Sequence, residues 1–282
     1  MLELRNVACG YRADKPILTD VNMVLNDGEV CCIMGPNGVG KTTLFKTILN
    51  LMEPLHGQIC IDGQPTKGWG PQKLSKYIAY VAQSHVPSFP YRVREMALMG
   101  RMGQLGLTGQ PSRTDHEIVE QALEDVGIRH LRDKLYTEIS GGERQLLMIA
   151  RALAQQPKLL IMDEPTAALD YGNMVIVMQC IRNLSKKGLS VIFTSHMPDQ
   201  AFMTRAKTVL LRRNLPMLFG TADEVLTEKN LFEVYGTGIH VLSIMTDEGE
   251  TIKVVAPKFR DTAELYGDSA AKIQSEFRHE FF

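Results

Sequence analysis

Residues 35–43 read Gly35-Pro36-Asn37-Gly38-Val39-Gly40-Lys41-Thr42-Thr43. Just before them, Glu29-Val30-Cys31-Cys32-Ile33-Met34 is a short, mostly apolar run of the kind a buried strand requires. Just after them, Leu44-Phe45-Lys46-Thr47-Ile48-Leu49 carries apolar residues at helical spacing. A strand, a glycine-rich turn and a helix start, in that order, make a phosphate-binding loop. Gly35, Gly38 and Gly40 let the backbone take positive φ and turn its N–H groups toward an anion. The helix start adds free N–H donors and a partial positive charge. In such a loop Lys41 reaches the β- and γ-phosphates, Thr42 ligates Mg²⁺ and Thr43 bonds a phosphate oxygen. The whole loop, Pro36, Asn37 and Val39 included, is expected to cradle ATP.

Working outward, composition leaves room for this and little else. The chain has 282 residues, 44% hydrophobic and 22% charged, the proportions of an ordinary globular protein. Its 31 basic and 32 acidic side chains give a net charge of −1 with no long run of either sign. Sequence-independent nucleic-acid binding wants a basic surface, so no nucleic-acid partner is expected. Cys9, Cys31, Cys32, Cys60 and Cys180 form no C-x-x-C pair and match no zinc spacing. They read as reduced thiols, mostly in apolar stretches. No apolar run reaches the roughly eighteen residues of a membrane span. The start, Met1-Leu2-Glu3-Leu4-Arg5-Asn6-Val7, alternates like a strand and lacks a signal peptide's apolar core. Work at a membrane is therefore expected to run from the cytoplasmic face, through a partner.

Three zones follow along the chain. Strands are predicted at 2–9, 17–25, 28–34 and 57–61, with one helix after the phosphate loop. Residues about 85–155 look helical, as in Asp115-His116-Glu117-Ile118-Val119-Glu120-Gln121-Ala122-Leu123. Buried-type strands at 158–162, 190–194 and 207–211, with a helix near 173–187, read as parallel α/β units. An added hairpin is expected around Asp247-Glu248-Gly249-Glu250, and the last twenty or so residues read as a polar helix or tail.

Two further places carry chemistry. Leu159-Leu160-Ile161-Met162 runs into Asp163-Glu164-Pro165. A strand-end aspartate in a phosphoryl-transfer site holds the Mg²⁺ shell, and the next acid can take a proton from the attacking water. Two carboxylates after a strand are otherwise a solvated strand end, and the phosphate loop in the same chain decides against that. His196 follows the apolar strand Leu189-Ser190-Val191-Ile192-Phe193-Thr194, and ligands of open α/β sheets bind beyond the strands' carboxyl ends. A γ-phosphate contact is therefore expected of it. His56, His85, His116, His130, His240 and His279 lack such a context.

Ser140-Gly141-Gly142-Glu143-Arg144-Gln145 lies 23 positions before Asp163. Alone, it reads as a helix N-cap with a flexible turn. With the phosphate loop before it and Asp163-Glu164 after it, it resembles the signature motif of ABC ATPases, the ATP-binding subunits of ABC transporters. The resemblance covers about residues 1–235. It implies an α/β fold: a P-loop NTPase core with a mainly parallel sheet, an N-terminal antiparallel β subdomain and an inserted helical subdomain at about 85–155. Residues 236–282 are left as a C-terminal extension without a role. By the same resemblance Tyr11 stacks on adenine, and Gln83 belongs to the loop linking the core to the helical subdomain. Asp170 belongs to a dimer-contact loop, and His196 is the switch histidine. Lys41, Gln83, Glu164 and His196 form the implied catalytic set, and Thr42, Gln83 and Asp163 the implied Mg²⁺ set. Ser140, Gly141, Gly142 and Glu143 would bind ATP held by a second copy of the chain, in a head-to-tail homodimer. Glu143, Ile139, Ala168 and Met197-Pro198 depart from the commonest family pattern without removing a residue that carries chemistry.

Residues 77–107, with Ser88-Phe89-Pro90-Tyr91, Leu98-Met99-Gly100-Arg101 and Leu105-Gly106-Leu107, resemble the ATPases of importers for iron–siderophore, haem, cobalamin and related chelates. Molybdate or tungstate importers fall in the same group. The implied partners are a polytopic permease and, indirectly, a periplasmic or extracellular substrate-binding protein. The alternative is a soluble ABC ATPase acting in a scaffold such as iron–sulfur cluster assembly. Met96, Met99 and Met102 fit either a docking surface or a helical core.

Overall fold

Runs of β-branched and aliphatic residues with no polar interruption become the central strands of a parallel sheet. A computed structural model describes residues 1–83, 90–105, 109–247 and 249–259. Strand β3 (Val30–Met34) is buried at every position, as are β7 (Leu159–Met162) and β8 (Ser190–Thr194). With β6 (Ile78–Val81), β9 (Lys207–Arg212) and β10 (Leu215–Thr221) they form a six-stranded sheet in the order β10-β9-β3-β8-β7-β6. All pairings are parallel except that of the edge strand β10. Strands buried on both faces are what parallel sheets require.

The alternating N-terminal segments instead pair antiparallel. Strand β1 (Leu2–Cys9) lies between β2 (Leu18–Leu25) and β4 (His56–Ile61), with the short β5 (Gln64–Pro65) at the edge. One apolar core joins this sheet to the parallel one, placing Leu4, Val21 and Ile59 with Ile33, Ile161 and Ile192. Helix α1 (Lys41–Ile48) contributes Leu44, Phe45 and Ile48 to the same core. A one-turn helix α2 (Pro71–Leu74) precedes β6.

The middle of the chain is helical. Helices α3 (Val93–Leu98), α4 (Arg113–Asp125) and α5 (Gly141–Leu153) pack on one another, with a 3₁₀ turn at Met99–Gln104. A buried ion pair ties them: Arg101 Nε donates to Asp115 Oδ1 at 2.8 Å, and its Nη1 donates to the Ala154 carbonyl at 2.8 Å. The methionine run divides between the two readings, with Met96 buried and Met102 exposed. Helices α6 (Tyr171–Lys186), α7 (Pro198–Thr204) and α8 (Ala222–Val225) complete a compact unit that ends at Leu226.

A second unit starts at Thr227. It holds α9 (Glu228–Tyr235) and the expected hairpin, β11 (Ile239–Met245) paired antiparallel with β12 (Thr251–Pro257). All five cysteines are buried free thiols, and burial pushes those of Cys31 and Cys180 up to about 12. No described helix is long and apolar enough to cross a membrane. Ser88, Phe89, Gly106, Leu107, His85, Glu248, His279 and the last twenty residues lie outside the described residues.

Candidate functional site

The sheet order decides what meets what. Strands β3, β8, β7 and β6 are successive neighbours and parallel, so the residues following their carboxyl ends share one edge. Those residues are the phosphate loop, Ser195-His196, Asp163-Glu164 and Ala82-Gln83.

The loop turns on left-handed glycines, with φ of 146° at Gly35, 76° at Gly38 and 116° at Gly40. A Cβ on Gly40 would sit 2.8 Å from Ile17 Cγ2, so the position is closed to side chains by contact as well as by φ. Lys41 folds back beneath the loop, its Nζ donating to the Gly35 carbonyl at 2.8 Å and to that of Pro36 at 3.4 Å. Burial lowers its pKa, opposed by the nearby charges of Glu164 and Asp163. Thr42 is exposed at the start of α1, whereas Thr43 and Val39 are buried. The Asn37 carbonyl accepts from Arg213 Nη2 at 3.2 Å. Tyr11 is 66% exposed, free to present a ring face, and Lys46 Nζ lies 5.7 Å from its centroid.

At the end of β7 the backbone changes hand. A continued strand would send adjacent side chains to opposite faces. Glu164 instead takes φ 47°, a conformation that costs a non-glycine residue about 1–2 kcal/mol. The turn leaves both carboxylates at the sheet edge. Asp163 Oδ1 accepts from the Thr194 hydroxyl at 2.7 Å, and the same hydroxyl accepts from the Glu164 N–H at 2.8 Å. The Tyr80 phenol also donates to Asp163, and its pKa is raised by burial and by that carboxylate's charge.

The Glu164 carboxylate is held from both sides. Gln83 Nε2 donates to Oε2 at 2.9 Å, and His196 Nε2 lies 2.5 Å from Oε1. Lys41, Gln83, Asp163, Glu164 and His196 are thus brought together. Thr194 and Tyr80 belong to the same cluster and went unread in the sequence. Each looks like an ordinary strand residue, and only a hydroxyl on a strand beside the acids could have drawn notice.

The signature segment is built differently. Ser140 is the N-cap of α5; its Oγ accepts from the Glu143 N–H at 3.2 Å, while Glu143 Oε2 accepts from the Ser140 N–H at 2.7 Å. That reciprocal capping box holds the Glu143 carboxyl below its usual range. Gly142 lies against α6, where a Cβ would come within 2.1 Å of Asn173 Oδ1. Asn173 donates from its backbone N–H to Asp170 Oδ1 and from Nδ2 to Oδ2, both at 2.8 Å, which keeps the Asp170 carboxyl low. Asn173 therefore links the signature helix to the Asp170 loop, and it too was read only as part of a helix. Among the described residues no hydrogen bond joins Ser140–Glu143 to the phosphate loop.

A glycine-rich loop at a helix start, with acids and an imidazole at the same sheet edge, is equipment suited to a nucleotide triphosphatase. A family model described as ABC transporter matches residues 18–167. An uncharacterized ABC transporter ATP-binding protein of Haemophilus influenzae is 39% identical, over 86% of this chain and 92% of its own. The molybdate import ATP-binding protein MolC of the same organism is 33% identical, over 83% and 87%. Among solved structures, one of a metal-chelate type ABC transporter in an inward-facing conformation superposes with a TM-score of 0.81 at 30% identity, covering 92% of this chain and 98% of that one. The phosphate loop, the acids that face it and these likenesses agree: the chain belongs to the ABC transporter ATP-binding family and is an ATPase.

Proposed function

We propose that the chain is the ATP-hydrolysing subunit of a membrane importer for a metal chelate or an oxyanion such as molybdate. In this reading it works as a homodimer on the cytoplasmic side of a polytopic permease supplied by a substrate-binding protein. The observation that carries the enzymatic part is the Glu164 carboxylate, held between Gln83 and His196 beside a buried Lys41. The cargo class rests on the relatives' names and on the importer-like sequence around residues 77–107.

Hydrolysis follows from these groups. ATP enters with its adenine on the exposed ring of Tyr11 and its phosphates on the loop N–H groups. Lys41 turns from the loop carbonyls to the β- and γ-phosphates, exchanging neutral acceptors for charged ones. His196 moves its donor from Glu164 to the γ-phosphate, and Gln83 releases the other oxygen. Glu164 is then free to polarise a water aligned with the γ-phosphate. The oxygen donors fit a small hard cation: exposed Thr42, the Asp163 carboxylate and the Gln83 amide oxygen, which its bond to Glu164 leaves open. Such a cation is usually bound through one or two carboxylates, with substrate phosphates and waters among its other ligands. Thr42, Asp163 and Gln83 would hold the Mg²⁺ ion, which would supply positive charge against the negative charge developing on the phosphates.

Glu164→Gln keeps the shape and removes the base. This variant should bind ATP as wild type does, hydrolyse it about 10²–10⁴-fold more slowly and accumulate as an ATP-bound dimer in light scattering. Wild-type turnover in a monomeric variant would sink the base assignment. For the transport part, the tagged chain is recovered from detergent-solubilised membranes of its host. A permease of many helices in equal amount supports the importer. Recovery with soluble partners alone would favour a scaffold ATPase.

A further inference from the structure

Thr194 sits at the last position of β8 with no solvent exposure, and its side chain does two things at once. Its hydroxyl proton goes to Asp163 Oδ1 at 2.7 Å, and its lone pair takes the Glu164 N–H at 2.8 Å. The two acids thus share one hydroxyl, from the strand beside their own. We propose that Thr194 is a positioning residue of the ATPase, setting the relative aim of Asp163 and Glu164.

Three observations bear on this. Glu164 is a non-glycine residue at positive φ, one of eight among the described residues, and its backbone needs an external contact to hold an unfavourable turn. The bond to Thr194 is made by the N–H of that strained residue. Second, Thr194 fixes one oxygen of Asp163 while leaving the acid at the strand end, where the phosphate loop is its neighbour across β8. Third, the hydroxyl is at the register position opposite Ile33, one residue before β3 ends and the phosphate loop begins. A valine there would fill the same space and keep the strand, but it would leave a buried N–H and a carboxylate oxygen without this partner.

The inference rests on the proposed roles of Asp163 and Glu164. It predicts a loss in kcat, because the acids act on the reacting phosphate, and little change in the KM for ATP, because the phosphate loop is untouched. Thr194→Val should lower kcat about 10–100-fold, as small misplacements of catalytic groups do, with the KM for ATP within about twofold. Binding of a fluorescent ATP analogue should need several-fold more Mg²⁺ for half saturation, a change that loss of fold alone would not produce. Thr194→Ser restores the hydroxyl and should keep kcat within about threefold of wild type. If the valine variant is recovered unfolded, Thr194→Cys replaces it, offering only a weak S–H donor, and should fall about tenfold below the serine variant.

Wild-type kcat and Mg²⁺ response in Thr194→Val would overturn the proposal. So would equal losses in the serine variant and in the valine or cysteine variant. Glu164→Gln, assayed alongside, separates the two levels. If it is inactive while Thr194→Val is not, only the role of Thr194 falls. If it hydrolyses like wild type, the base assignment beneath it falls.

Discussion

The starts of α1 and α5 are both helix N-termini preceded by small residues, and both fall at motifs expected to meet phosphate. Their ends are finished in opposite ways. At α1 the N-cap is Gly40, which offers no side-chain acceptor, and the first turn holds no acid. With Lys41 beneath the loop, the N–H groups and dipole of α1 make an end suited to an anion. At α5 the N-cap is Ser140, and Glu143 closes a capping box with a negative charge in the first turn. That box pairs the N–H groups of Ser140 and Glu143 with side chains of the same turn. On the proposed reading the first site takes ATP within one chain, and the second meets phosphate presented by a second copy. Helix α4 supplies a control: Ser112 and Asp115 make the same box, and there the buried Asp115 is paired with Arg101.

The comparison can be broken most severely at Lys41. Lys41→Ala should cut hydrolysis about 10³-fold or more and weaken ATP binding by about tenfold, measured by turnover and by a fluorescent nucleotide titration. Next comes Ser140→Arg, which should lower hydrolysis by about 10²-fold while changing the monomer's ATP affinity less than twofold. Equal loss of binding would mean that α5 serves its own chain's nucleotide.

A smaller effect sharpens the packing behind α5. Gly142→Ala forces a Cβ onto Asn173 Oδ1, so α5 and α6 must separate, at a cost of about 1–3 kcal/mol, seen as a melting point lower by several degrees. Gly141→Ala, whose Cβ would find only Leu169 Cδ2 at 3.9 Å, should leave the melting point nearly unchanged.

The smallest expected effect is in acid. The Asp115 carboxyl is held down to about 2, first by the Ser112 hydroxyl and then by Arg101. A depressed folded pKa gives stability that is full above the unfolded value of about 3.9 and is lost as pH falls through the folded one. Wild type should therefore melt higher than Asp115→Asn at pH 5, and the gap should close between about pH 4 and pH 2. A gap independent of pH would mean that the ion pair and cap contribute nothing through charge.

The parts legible in the sequence were those where a short motif interrupts an apolar strand. Lys41 after β3, Asp163-Glu164 after β7 and His196 after β8 could be placed on one edge because parallel strands put their carboxyl ends together. What could not be read was how those groups touch. The bond from Gln83 to Glu164 spans 81 positions, and nothing in Tyr80-Val81-Ala82-Gln83 announces it. Thr194 was read as strand because a threonine on a strand is unremarkable until its neighbour is known to be an acid. Asn173 was read as helix, which it is, but the bond from its side chain to Asp170 was not foreseen. The short strands β5 and β6 and the edge strand β10 also went unread. The two residues of β5 carry no periodicity, and Pro216 and Gly220 interrupt the run of β10.

The central claim is that α1 works within one chain and α5 only between two. The direct test compares Glu164→Gln with the Glu164→Gln/Ser140→Arg double variant, each saturated with ATP and Mg²⁺, by light scattering with nucleotide occupancy measured on the same sample. The expected result is a dimer for the first and a fully occupied monomer for the second. A double variant that still dimerises with ATP, or that no longer binds it, would contradict the account.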